Sequence, residues 1–460
     1  MGNDAALAHP SPGRKPAPSG STMLDPQESF AQRLLSGSVK KSYDPVVDLD
    51  WDAPLDPDKL FLPGEVISLY GTALWESMTP AERRELSRQE LANVLSVGIW
   101  FENLLNRLLL RELMNGDPTS HHSHYTLTEM GDETRHMMMF GKLIERIEAQ
   151  PYWPTPPARL VISSLQLFLR GSMTWVGALV GEEIFDAIQR RTLDDPELQP
   201  LVSRAMRVHV TEEARHIGFA RDALARRVPT MSQAELAYVR LCVAAAAPLF
   251  VHLMTNRHMY IRAGLDGRSA RRLARANPNN KRALGIGAAN LGAFLDKHGL
   301  ITPAGKWIWQ QQGLWHTDAP RTRLGSIPTP PGLAGLLDAA DRAGRVLRRL
   351  YPRADDPTIP ADHEPSHKYS GPATLEIPGA ELQVAVTLKG HIDPIDGRYH
   401  WYGRVHGSNP ADLPEPGRAR VQLTLPGRAP ATATLRERDP WGDLRITGIG
   451  EPPFPLTPAD

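Results

Sequence analysis

The spacing of apolar residues divides the chain into three kinds of segment. Between Thr79 and about Arg226, apolar positions recur every three to four residues, the period of one helix face. Thr79-Pro80 supplies a helix cap with proline at the first helical position. The helix that follows is predicted to run to Leu113, where Asn115-Gly116 stops it. A second helix is predicted from about Thr128 to Glu148, before Pro151. A third covers roughly Arg159 to Arg190. A fourth starts near Pro196 and reaches about Arg226, and a fifth begins after Ser232. Long amphipathic helices joined by shorter connections predict an α-helical bundle. From Tyr369 the period falls to two. Leu382, Val384, Val386 and Leu388 alternate with Gln383, Ala385 and Thr387, and Val421, Leu423 and Leu425 alternate with Gln422 and Thr424. Turn signals at Asp396-Gly397 and Pro426-Gly427 separate the runs, so a small antiparallel β domain of five or six strands is expected. The fold class is therefore mainly α, a helical bundle followed by a small antiparallel β domain.

Proline usage supports the division. Residues 25–316 hold 17 prolines, and the last 144 residues hold 21. Residues 1–24, rich in Ala, Gly, Pro and Ser, read as a disordered tail. Residues 317–368 read as a Pro-rich linker with one helix, Leu333 to Leu350. The arginines of that helix (Arg342, Arg345, Arg348 and Arg349) suit a solvated face near a helix C-terminus better than a membrane surface. The expected domains are thus a bundle over 25–316 and a β domain over 369–460, joined by a boundary that few contacts cross.

Charge and cysteine content narrow the function. Lys plus Arg is 52 and Asp plus Glu is 52, which gives no cationic excess for nucleic acid. The single cysteine, Cys242, excludes an intramolecular disulfide and a cysteine-rich metal cluster. The most apolar run, Val243 to Met254, is short for a membrane span and contains Pro248 and His252. No secretory signal is readable, so the default location is the cytoplasm.

Two segments nearly repeat each other: Asp132-Glu133-Thr134-Arg135-His136 and Glu212-Glu213-Ala214-Arg215-His216. Each holds Glu-x-x-His inside a predicted helix, and an i,i+3 spacing sets both side chains on one face, where they can grip one metal. A single copy is a weak signal, but two copies on separate helices match the pattern of carboxylate-bridged dimetal bundles. That pattern also needs one lone glutamate from each of two other helices. Glu102 lies in the apolar stretch Trp100-Phe101-Glu102-Asn103-Leu104-Leu105, and Glu182 and Glu183 lie in another, so both stretches are candidates. His209 is four residues before Glu213 and seven before His216, on the same face, and makes a seventh donor. Three histidines with four carboxylates suit iron or manganese better than zinc. Glu129, one turn before Glu133, is expected to matter less.

The order Glu102, Glu133-x-x-His136, Glu182, His209-x3-Glu213-x-x-His216 resembles the p-aminobenzoate N-oxygenase family of non-haem di-iron proteins over roughly residues 25–315. The interval of 27 from Glu182 to His209, with Gln199-Pro200 between them, is similar to the family pattern and favours Glu182 over Glu183. The resemblance implies a ferritin-like bundle, two iron ions, O₂ as co-substrate, an external electron donor (a protein or small reductant) and oxidation of a small-molecule amine. A homodimer is compatible with it. The segment from Tyr369 also resembles a small uncharacterised β domain of actinobacterial proteins.

The bound histidines need hydrogen-bond acceptors on their other ring nitrogens. Asp186, one turn beyond Glu182, is one candidate acceptor, with a salt bridge to Arg190 as the alternative. Arg135 and Arg215 are expected to pair with Asp132 or Glu212. His121, His122 and His124 read as a solvated loop. Two other activities remain open on this sequence: a di-iron hydroxylase or desaturase acting on carbon, and a metal-binding bundle without turnover.

Overall fold

The computed structural model describes residues 25–154, 169–193, 195–315, 368–407, 410–417 and 420–456. The expected tail, and the linker with its Leu333–Leu350 helix, lie outside the described residues. So does the first third of the expected third helix, residues 159–168.

The helices are α1 (Pro26–Lys40), α2 (Ala73–Ser77), α3 (Pro80–Leu113), α4 (His121–Arg146), α5 (Ser172–Gln189), α6 (Pro200–Arg227), α7 (Gln233–Met254), α8 (Arg257–Arg262), α9 (Gly267–Ala276), α10 (Pro278–Lys297) and α11 (Pro303–Gln311). Their starts follow local chemistry. Thr79 and Glu82 form a reciprocal capping box at α3, with Pro80 at the first position. Ser120 accepts from the Ser123 amide and starts α4 about two turns before Thr128. His121, His122 and His124 therefore sit in the first turn of α4, not in a loop. Glu28 of α1 accepts from the His121 amide at 2.7 Å, and Gln27 lies 3.0 Å from His122. Gly171 enters α5 at φ 57°, a conformation that favours glycine.

Helices α3, α4, α5 and α6 form the central bundle. Two separate apolar cores run through it. One gathers Leu105, Leu108, Tyr125, Leu179, Ile184, Phe219 and Leu224. The other gathers Leu91, Leu95, Met139, Phe140, Leu143, Val202 and Val208. Helices α3, α4 and α6 each contribute to both cores, at opposite ends. The turns between the two contributions carry Glu102, Glu129 to His136 and His209 to His216, so a buried polar layer separates the cores. Helix α7, continued through α8, spans 30 residues from Gln233 to Arg262 and is long and apolar enough to cross a membrane by length and composition. That revises the expectation of no such stretch. The helix begins at Gln233, so Leu236, Val239, Leu241 and Cys242 extend the apolar run ahead of Val243, and Pro248 sits within the helix without ending it.

Strands β1 (Lys368–Ile377), β2 (Ala380–Ile392), β3 (Tyr399–His406), β4 (Arg420–Thr424), β5 (Ala431–Arg438) and β6 (Leu444–Ile449) close into an antiparallel barrel in the order β1-β2-β3-β6-β5-β4. Alternate residues such as Val384, Val386, Leu388, Leu423, Leu435 and Ile446 fill its interior with Trp401. Closure leaves no free sheet edge.

The expected boundary with few crossing contacts is not what forms. A strap between α1 and α2, residues 42–50, is gripped from both sides. Arg445 of β6 donates to the Asp48 carboxylate at 2.5 Å and to the Ser42 carbonyl at 2.7 Å. Lys389 and Tyr402 donate to Asp44 at 2.7 and 3.1 Å. Arg204 of α6 donates to the Asp48 carbonyl at 3.1 Å and to Glu437 of β5 at 2.9 Å. Asp48 is fully buried and Arg445 nearly so. Removing one partner of such a pair strands a charge, which costs about 3–5 kcal/mol. Arg445→Met should lower unfolding free energy by about that amount, and adding Asp48→Asn should recover part of the loss. Urea titration of the two variants checks this, and a loss under ~1 kcal/mol would mean that water reaches the pair.

Candidate metal centre

Helix geometry brings all seven sequence-derived donors into the polar layer. Glu102 comes from α3, Glu133 and His136 from α4, Glu182 from α5, and His209, Glu213 and His216 from α6. None is more than 4% exposed, which excludes a solvated helix face for any of them. Donor atoms from Glu133, Glu182, Glu213 and His216 lie within 4.8 Å of one another, and so do donor atoms from His136, His209 and Glu213. Glu213 belongs to both groups. Glu133 also reaches both, with its oxygens 2.9 Å from His136 Nδ1 and 2.7 Å from His216 Nδ1. Glu102 stands 3.9 Å from His209 Nε2, beside the second group.

The donors meet a direct test of whether they fit a metal pair. Glu102 Oε2, Glu133 Oε1, both oxygens of Glu182 and of Glu213, His209 Nε2 and His216 Nδ1 are all buried without a hydrogen-bond partner. Eight orphaned polar atoms in one layer would be costly unless something else satisfies them. Cations do so. The electrostatics agree. Burial, then the neighbouring carboxylates, raise Glu102 and Glu182 well above the ordinary carboxylate range. Burial opposes charge on His136 and His216, yet Glu133 and the other carboxylates outweigh it and raise both well above the ordinary imidazole value. The layer thus draws in positive charge, as protons when no metal is present.

The histidines are held in a reciprocal brace. His136 of the first motif lies 2.9 Å through Nε2 from Glu212 of the second. His216 of the second lies 3.2 Å through Nε2 from Asp132 of the first. Each motif's leading acid therefore supports the other motif's imidazole and leaves Nδ1 facing the layer. Arg135 pairs with Asp132, and Arg215 reaches Asp132 at 3.5 Å and Glu212 at 4.0 Å, so two guanidiniums balance the two bracing acids. Burial opposes ionisation of Asp132, but the His216 bond and the nearby cations win and hold its pKa at about 2.

His209 is supported differently. Its Nδ1 lies 2.7 Å from Gln189 Oε1, so Nδ1 donates and Nε2 is left facing the layer. Burial lowers its pKa to about 4, which keeps the ring neutral. Asp186 does not take the acceptor role. It pairs with Arg190 at 2.7 and 2.8 Å. Glu183 also turns away and binds Arg221, leaving Glu182 in the layer. Sequence reasoning missed Gln189, because a glutamine seven residues after Glu182 carries no charge signal. It also set aside Glu129, which is fully buried with both oxygens unpartnered.

An apolar cavity of about 290 Å³ lies beside the layer, lined by Val97, Trp100, Phe101, Val180, Phe185 and Phe250 among others. Phe101, Gly181 and Phe185 also line a small space against Glu102, Glu182 and His209. The Phe101 ring lies against Gly181, where an added Cβ would fall 1.8 Å from Cζ. Phe101 thus stands between the cavity and the donors.

The brace also reaches the strap. The Tyr43 amide donates to Glu212 Oε1 at 3.0 Å, so Glu212 is fixed by the segment that the barrel holds.

The comparisons with known proteins agree with this arrangement. Residues 366–456 match a domain of unknown function, DUF4873. An uncharacterized protein of Mycobacterium tuberculosis (strain CDC 1551 / Oshkosh) is 29% identical over 65% of this chain and 90% of its own length. An uncharacterized protein of Mycobacterium bovis is 45% identical over 91 residues, 20% of this chain and 26% of that protein. Residues 25–299 match the model of the family described as P-aminobenzoate N-oxygenase AurF, and the chain belongs to that family of ferritin-like di-iron oxygenases.

Proposed function

We propose that the protein is a di-iron oxygenase that uses O₂ and an external electron donor to oxygenate the nitrogen of a small aromatic amine. The observation that carries the reading is the convergence of orphaned carboxylate and imidazole atoms beside an apolar, aromatic-lined cavity. Glu102, His136 and His209 would hold one iron and Glu182 and His216 the other, with Glu133 and Glu213 shared between them. Four glutamates match the charge of two divalent ions. When bound, the reduced iron pair supplies O₂ activation. The balance is an amine plus O₂, two electrons and two protons giving a hydroxylamine and water.

The chain's own residues set the conditions for that chemistry. Asp132, Glu212 and Gln189 fix the imidazole orientations. Trp100, Phe101, Val180 and Phe250 exclude water and favour a flat apolar substrate. The un-ionised amine suits this lining, since an ammonium would carry an unpaired charge into it.

Metal binding should rise steeply with pH. His136, His216, Glu102 and Glu182 hold protons more tightly than usual, and a metal must displace those protons. Affinity should therefore increase roughly tenfold per pH unit for each proton released. Anaerobic Fe(II) titrations at pH 6 and pH 8 measure this, and equal affinities would mean that the donors are not displacing protons. Gly181→Ala should drive the Phe101 ring out of its place and narrow the approach, costing on the order of tenfold in kcat/KM for a bulky amine and less for a small one. A panel of amines of graded size checks the trend. Reduced iron-loaded protein mixed with O₂ and an arylamine should yield the hydroxylamine by mass spectrometry. Oxygen found on carbon instead would move the protein to the hydroxylases, and O₂ consumption without any oxygenated product would overturn substrate oxygenation altogether.

A further inference from the structure

The two halves of the polar layer are unequal. Setting aside the shared Glu133 and Glu213, one half has three terminal donors: Glu102, His136 and His209. The other has two, Glu182 and His216. Glu129 lies on that poorer side. It is four residues before Glu133 on α4, so its side chain projects from the same helix face one turn away. Among the charged groups around it, His216 acts on it most strongly, followed by Glu133 and Glu213. Glu182 feels Glu129, whereas the groups that act on Glu102 are Glu133, Glu213, His136 and Glu182.

Glu129 has no structural partner that explains its burial. It is 0% exposed, and neither oxygen makes a hydrogen bond. Among the described residues, each of the other buried acids outside the seven donors accepts at least one hydrogen bond, Asp439 through one oxygen and Asp44 and Asp48 through the contacts given above. Asp132 and Glu212 brace histidines, Glu183 binds Arg221, Asp186 binds Arg190, and Glu90 accepts from Ser68 at 2.5 and 2.9 Å. Tyr125, one turn further along the face, is fully buried with its hydroxyl unpartnered and does not bond to Glu129. Glu129 thus lies near Glu182, also orphaned at both oxygens, and just outside the group of Glu133, Glu182, Glu213 and His216 whose donor atoms fall within 4.8 Å of one another.

We propose that Glu129 is an eighth donor, a terminal carboxylate ligand to the metal held by Glu182 and His216. This rests on the dimetal reading above. With Glu129 each metal has three terminal donors and two shared ones. A fifth carboxylate exceeds the charge of two divalent ions and suits a pair that passes through a higher charge.

Cobalt(II) tests the assignment without requiring turnover, because its visible bands intensify as coordination number falls. Anaerobic Co(II) titrations compare wild type, Glu129→Gln and Tyr125→Phe, with thermal melts to establish folding. The wild type should bind two Co(II) per chain. Glu129→Gln should bind one normally and the other at least tenfold more weakly, with stronger visible absorption from the weakened position. Tyr125→Phe should match the wild type. Two equivalents bound by Glu129→Gln with wild-type affinity and spectrum would overturn the proposal. A wild type that binds no cobalt or iron would instead overturn the dimetal reading on which it rests. Should the glutamine variant fail to fold, a crystal structure of the cobalt-loaded wild type decides. A Glu129 oxygen about 2.0–2.2 Å from one ion supports the assignment, and both oxygens beyond bonding distance overturn it.

Discussion

Negative charge gathered where water cannot reach it governs this bundle. Glu102, Glu129, Glu133, Glu182 and Glu213 sit in one buried layer between two apolar cores. Isolated, each would cost several kcal/mol to hold there ionised. The layer persists because positive charge is drawn into it, and the rest of the bundle is arranged to aim the donors at that charge. The apolar cores on either side exclude solvent, which strengthens every interaction within the layer.

Aim is supplied by a lattice rather than by single contacts. Asp132 and Glu212 exchange support between the two Glu-x-x-His motifs, so neither imidazole is set by its own helix alone. Two arginines, Arg135 and Arg215, place positive charge against the bracing acids. The lattice then continues outward through the Tyr43 amide to the strap, and from the strap to Lys389, Tyr402 and Arg445 of the barrel. The β domain is thus physically joined to His136 of the buried polar layer through three consecutive links.

Much of this was legible in the sequence because helix periodicity converts spacing into direction. Glu-x-x-His repeated with near-identical flanks placed four donors, and His209 followed from its position on the same stripe. The lone glutamates were visible as charges in apolar runs. What was not legible depended on partners from other elements. Gln189 looks like any polar residue until α6 packs against α5 and sets His209 beside it. Asp186 looked equally suited, and Arg190 one turn away claimed it. Glu129 was discounted because nothing local in the sequence says that both of its oxygens are buried without a partner. The tie between barrel and bundle was hidden for the same reason, since Asp48 and Arg445 are far apart in the chain.

That distance has a consequence for biosynthesis. The strap leaves the ribosome early, but the barrel groups that hold it are made much later: Lys389 lies 345 residues after Asp44, and Arg445 lies 403 residues after Ser42. Contacts of such long range are reached slowly, because the loop they close must be ordered first. A nascent chain can therefore assemble α3 to α6 while Asp44 and Asp48 still await their cations. Translation of the barrel strands becomes the step that locks the strap and, through it, the imidazole of His136.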